Sequence, residues 1–112
     1  MLNQRVRTHL CEIAAKAVPV TYLELAKALD ISPPNIIRQV TDALEILIEE
    51  DAAAGHPLMA ALVISKGREG LPALGFFESA NRVGRFYGEP SGPEAVAFYA
   101  AEFESAVEFW RT

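Results

Sequence analysis

Cysteine is nearly missing from this chain: Cys11 is the only one in 112 residues. A single thiol closes no intrachain disulfide, and small secreted domains are often disulfide-rich, so a reducing compartment, the cytoplasm, is the expected location. Long apolar runs are missing as well. The longest uncharged apolar stretch runs from Pro57 to Ser65, far short of the ~20 residues that span a bilayer. Met1 to Arg7 is polar and charged, without the basic-then-apolar order of a secretory signal, so no membrane attachment is expected. Histidine is scarce, and His9 and His56 stand far apart. No Cys/His/Asp spacing suits zinc or iron, so neither metal nor cofactor is expected. Gly67 and Gly70 lack both the strand-to-helix context and the Gly-Lys-Ser/Thr ending of a phosphate loop.

Positive charge is also in short supply. Ten Lys and Arg face fifteen Asp and Glu, for a net charge of -5, which argues against strong non-specific affinity for nucleic acid. The distribution is uneven, however. Arg5, Arg7, Lys16, Lys27 and Arg38 outnumber the acids of residues 1–40, and Lys66, Arg68, Arg82 and Arg85 outnumber those of residues 66–88. The acid lies between 42 and 51 and in the tail from Glu89, an arrangement that suits a weakly basic face and an acidic back. Glu49, Glu50 and Asp51 are consecutive and cannot share one helical face, so they are expected to be a solvated helix end rather than an acid/base site.

What is abundant is apolar side chain, 51% against 22% charged, which together with the length predicts one globular domain over residues 1–112. Val6, Leu10, Ile13, Ala14 and Ala17 recur at helical spacing and predict a first helix from about Asn3 to Ala17. Thr21-Tyr-Leu-Glu24 is a capping box that starts a second helix at Tyr22, with Leu25, Ala26 and Leu29 turned inward. Ser32-Pro33 offers an N-cap with proline at the first helical position, so a third helix is expected to begin there, about three residues after the second. Its stripe of Ile36, Ile37, Val40, Ala43, Leu44, Leu47 and Ile48 continues to about Glu50, and Gly55 is its expected stop. Leu58 to Ile64, the polar Lys66-Gly-Arg-Glu-Gly70, and Leu71 to Phe77 together predict a β-hairpin over 58–77 whose second strand, holding Pro72, is an edge. Glu78 to Val83 is expected to be a short helix stopped by Gly84, and residues 93–110 a closing helix.

Helix, helix, tight turn, helix and hairpin is the order of a winged helix, and residues 21–44 resemble the helix-turn-helix pattern through Glu24-Leu-Ala26, Leu29-Asp-Ile-Ser32, Ile36 and Val40. Asp30 stands where that pattern prefers glycine, and Asp tolerates the left-handed conformation better than most residues. The expected fold class is therefore mainly α with a small β-hairpin: helix-turn-helix over 21–50, wing over 58–77 and a C-terminal helix. The resemblance implies that the third helix enters the major groove of double-stranded DNA, with Ser32, Pro34, Asn35, Arg38 and Gln39 at its reading end. Arg reads guanine, and Asn and Gln read adenine, by paired hydrogen bonds. Lys66 and Arg68 at the wing tip would hold flanking phosphates. The bland alternative is that these side chains only solvate an amphipathic helix.

Val18 to Leu29 also resembles the start of the DNA-binding domain of O6-alkylguanine alkyltransferases and their non-catalytic relatives, a winged helix-turn-helix. That family carries a Pro-Cys-His-Arg active site after the recognition helix. Here the corresponding region reads Gly55-His-Pro-Leu58, and Cys11 lies in the first helix, so the nucleophile is missing and the resemblance implies architecture without alkyl transfer. The segments Gly55 to Lys66 and Gly70 to Phe77 further resemble small bacterial proteins to which no activity attaches.

In the last helix Val96, Tyr99, Phe103, Ala106 and Trp110 alternate at spacings of three and four, a seam expected to cover the first helix and to contribute Val96, Tyr99, Phe103 and Trp110 to a homodimer. The chain is expected to be a non-enzymatic DNA-binding protein of transcription-regulator type, with a protein-interaction module docking a protein partner as the rival.

Overall fold

The computed structural model describes residues 1–111. It is mainly helical, with helices α1 (Leu2–Lys16), α2 (Tyr22–Ala28), α3 (Ile36–Ala53), α4 (Leu74–Arg82) and α5 (Pro93–Trp110). Two short strands, β1 (Val20–Thr21) and β2 (Val63–Ile64), complete the regular structure, together with a 3₁₀ turn over Met59–Leu62. None of these helices is long and apolar enough to cross a membrane.

Local signals act as expected at most helix ends. The Thr21 hydroxyl accepts the Glu24 N–H at 3.1 Å while the Glu24 carboxylate accepts the Thr21 N–H at 2.8 Å, so both orphan donors at the start of α2 are satisfied. Ala17 takes the left-handed conformation that ends α1, and Pro93 opens α5 in its first turn, where a missing N–H costs nothing. α1, α2 and α3 enclose Val6, Leu10, Leu25, Val40, Leu44 and Leu47, all buried.

The expected hairpin is absent. β2 pairs instead with β1, in parallel, Val20 opposite Val63 and Thr21 opposite Ile64. All six residues from Leu58 to Val63 are buried, and their 3₁₀ turn packs against α1, α3 and α5 at the centre of the molecule. An unbroken apolar run has no solvent face to offer, and its pattern does not distinguish a strand from a buried helical turn. The three surrounding helices decide between them. The second half of the expected hairpin becomes α4: Pro72 has no N–H for a ladder, and Phe76, Phe77 and Ala80 bury one helical face. Ser65 N–H still donates to the Leu71 carbonyl at 2.9 Å, one closure of a turn. Lys66 and Arg68 therefore lie in a turn, not at the tip of a wing.

α3 also starts later than the Ser32-Pro33 signal predicts. A residue preceding proline is pushed out of the helical region, and two successive prolines do this to Ser32 and Pro33 in turn. The helix begins at Ile36 after Asn35, which takes φ 56, a left-handed setting that Asn tolerates. The connection from α2 accordingly spans residues 29–35, with Asp30 left-handed as expected at φ 53.

Asp51 is a second departure. It is 2% exposed, not solvated, because it continues the inward α3 stripe of Leu47 and Ile48 by one turn. Its carboxylate meets Arg7 at 2.9 Å and accepts the Met59 N–H at 3.0 Å. Arg7 also meets Glu50 at 2.9 Å and stands 5.0 Å over the Trp110 ring.

α5 packs on α1 and on the 3₁₀ turn. Glu102 accepts the Leu58 N–H at 2.7 Å, and Trp110 donates its indole N–H to the Pro57 carbonyl at 2.9 Å. Phe98 joins Phe76, Phe77 and Phe86 in an aromatic cluster. Tyr99 is partly buried beside Phe103, and burial, with repulsion from Tyr22 added, pushes its hydroxyl up to about 12. The folded state thus holds this proton more tightly than the unfolded chain. The contribution is complete below the ordinary tyrosine value of about 10 and is lost as pH rises through the folded value. Thermal midpoints followed by circular dichroism should fall between about pH 10 and about pH 12, and Tyr99→Phe should make that fall shallower. An identical fall in the variant would contradict this assignment.

Candidate nucleic-acid interface

The α2–α3 unit is tied to the rest of the fold by its connection. Asp30 N–H donates to the Lys27 carbonyl at 3.1 Å and Ile31 N–H to the Ala26 carbonyl at 3.2 Å, while the Arg5 guanidinium donates to the Leu29 carbonyl. Gln39 finishes the turn: its side-chain amide donates to the carbonyls of both Ser32 and Pro34 at 2.8 Å. Paired readout of adenine needs that amide as donor, so Gln39 in this state serves as a clamp on the connection, with its carbonyl oxygen left as an acceptor.

The other residues of the expected reading end are placed differently. Ser32, Pro34, Asn35 and Arg38 are all exposed around the first turn of α3. The Arg38 side chain is 79% exposed, and its nearest acid, Asp42 on the next turn, lies 3.9 Å away. Such an exposed pair is weak and leaves the guanidinium able to change partner.

Lys66 is exposed and borders an open groove with Thr21, Leu23, Glu24, Lys27, Ile37 and Ser65; the Glu24 carboxylate there accepts the Thr21 N–H. The parallel β1–β2 pair builds this groove, because it sets the residues after Ile64 beside the start of α2. Lys27 is a member of this surface that the sequence pattern did not select. Its exposed place on α2 was readable, but its convergence with Lys66 depends on a contact between segments far apart in the chain. Neither lysine has a carboxylate within ion-pair distance among the described residues.

Arg68 belongs elsewhere. Its Nε donates to the Pro72 carbonyl at 3.1 Å and its Nη2 to the Pro90 carbonyl at 2.7 Å, with the guanidinium 5.8 Å over the Phe77 ring. It ties the 66–72 turn to the loop before α5 and does not point a free charge outward.

The α5 seam divides in two. Val96 is exposed and Tyr99 and Phe103 are half-buried; all three border an apolar hollow with Pro19, Ile64 and Leu71. Trp110 turns inward to Pro57 and Arg7. Phe109 stays half-exposed with its ring 4.6 Å from that of His56. No family model, no curated protein and no solved structure matches the chain.

Proposed function

We propose that the chain is a small, non-enzymatic DNA-binding protein of regulatory type, working in the cytoplasm, which lays the start of α3 in the major groove. The observation that carries this reading is that Lys27 and Lys66, far apart in the chain, border one groove beside α2 and Ile37 of α3, while Arg38 stands exposed in the first turn of α3. Arg38 and Asn35 are the base-reading pair, since Arg meets guanine and Asn meets adenine through two hydrogen bonds each. Ser32, Lys27 and Lys66 hold phosphates, Pro34 offers an apolar contact, and the Gln39 clamp keeps the reading end in place. With so few cations on a chain of net charge -5, affinity comes from two copies on adjacent half-sites. Val96, Tyr99 and Phe103 supply the contact between copies, with Trp110 bracing the seam from inside.

Selection from a random DNA pool at low salt, followed by titration of the enriched duplex, is the test. Arg38→Ala should cost about 1 to 3 kcal/mol at the selected site and little elsewhere. Lys27→Ala with Lys66→Ala should weaken all sequences alike and reduce the salt slope by about 2 per bound chain. Sedimentation of the complex should give two chains per duplex. A pool in which nothing is enriched, with retention indifferent to these substitutions, would end the DNA reading. The apolar hollow on α5 favours the alternative, a protein-interaction module; a stoichiometric protein partner that survives nuclease treatment would support it.

A further inference from the structure

A cavity of about 280 Å³ lies between α3 and the first turn of α4, just under the roughly 300 to 1,000 Å³ of drug-sized sites. Its interior is apolar: Leu44, Ile48 and Ala60 contribute to it, with the Tyr22 and Phe76 rings as its aromatic members. Tyr22 is locked there, since its hydroxyl accepts the Ala73 N–H at 3.0 Å. The charged lining residues Arg38, Asp42 and Glu45 are all exposed and form its mouth, and Thr41 beside them is half-buried. Arg38 and Asp42 face each other at 3.9 Å, and Glu45 has no cation within ion-pair distance among the described residues. The mouth is therefore net negative over an aromatic, apolar interior.

We infer that this cavity binds a small planar aromatic amine, its ring against Tyr22 and Phe76 and its ammonium group at the mouth beside Glu45 and Asp42. A ring displaces water from apolar surface, while an ammonium held at the mouth keeps its hydration and gains chiefly from Glu45, since Asp42 is shared with Arg38, without being buried. An anionic ligand is repelled by the net negative mouth. Gly75 lines the cavity, and a Cβ built there meets no heavy atom within 4 Å, so a larger side chain at this position narrows the site without a clash at its root. The inference does not rest on DNA binding, although Arg38 belongs to both sites.

The test uses tryptamine as probe and 3-indoleacetate as its charge-reversed counterpart, titrated into the full chain by amide correlation spectra. Tryptamine should shift the Ala60 and Gly75 amides saturably. Exposed ion pairs are individually weak, but exchanging attraction for repulsion by the same carboxylates should make 3-indoleacetate about tenfold weaker. Glu45→Gln, a substitution at an exposed helix position, should weaken tryptamine by about threefold. Gly75→Leu, shown to be folded by an unchanged thermal midpoint, should abolish the shifts. Unmoved Ala60 and Gly75 amides, equal affinity for the two indoles, or undiminished binding by folded Gly75→Leu would each overturn the proposal. Should Gly75→Leu not fold, an unchanged tryptamine affinity of Glu45→Gln overturns it alone.

Discussion

Asp51→Ala is expected to lower the unfolding free energy by about 3 to 5 kcal/mol, the cost of leaving one member of a buried ion pair without its partner. Burial works against the Asp51 charge and pushes its carboxyl up, while the Met59 N–H and Arg7 oppose that shift. Removing the carboxylate leaves Arg7, 19% exposed in its side chain, with the exposed Glu50 as its remaining acid beside the Trp110 ring, and leaves the Met59 N–H buried without an acceptor. On a domain this small the loss should take more than roughly 10 °C from the thermal midpoint. Urea denaturation measures it directly. The double variant Arg7→Met/Asp51→Leu should recover the part of the loss due to the unpaired Arg7 charge, while the Met59 N–H stays without its acceptor. A single-variant loss within about 0.5 kcal/mol, the range of ordinary surface substitutions, would place Asp51 outside the structural core.

Arg68→Ala is expected to destabilise by about 3 kcal/mol while leaving the salt slope of DNA binding unchanged. Two charge-assisted hydrogen bonds to carbonyls, of roughly 1.5 to 3 kcal/mol each before relaxation, are lost with it, and so is the guanidinium above Phe77. Lys66→Ala, two residues away, should do the reverse. Its side chain is exposed, so stability should stay within about 0.5 kcal/mol, while the salt slope falls by about 1 per bound chain. The pair of measurements separates a residue that holds the fold from one that faces phosphate. A reduced salt slope with Arg68→Ala at unchanged stability would return Arg68 to the surface.

Both cases bear on why some residues of the candidate interface were readable in advance and others were not. Asn35 and Arg38 were selected by their offset from a helix start and do lie exposed there. Gln39 was selected by the same offset, but its amide is occupied by Ser32 and Pro34; a side chain long enough to reach a base is also long enough to reach back to its own turn. Lys66 and Arg68 are alike in charge and in their place within one polar segment, yet one is exposed and the other donates to carbonyls at Pro72 and Pro90. Nothing local distinguishes them, because the acceptor at Pro90 comes from a loop 22 positions away.

By itself the sequence determined that α1, α2, α3 and α5 are helices, though not where α3 begins or that α4 reaches back to Leu74, because capping, proline and the 3.6-residue stripe act over a few residues. The Thr21–Glu24 box, the left-handed Asp30 and Pro93 at the start of α5 needed no tertiary contact to be recognised. Only the tertiary structure decided what the apolar run from Leu58 to Ile64 became, since packing of α1, α3 and α5 around it makes a buried 3₁₀ turn over Met59–Leu62 more favourable than a continuous hairpin strand. The same holds for the pairing of Val63 with Val20 and of Asp51 with Arg7. Each joins segments more than forty positions apart, and energies of that kind depend on burial and distance, which a pattern along the chain does not contain.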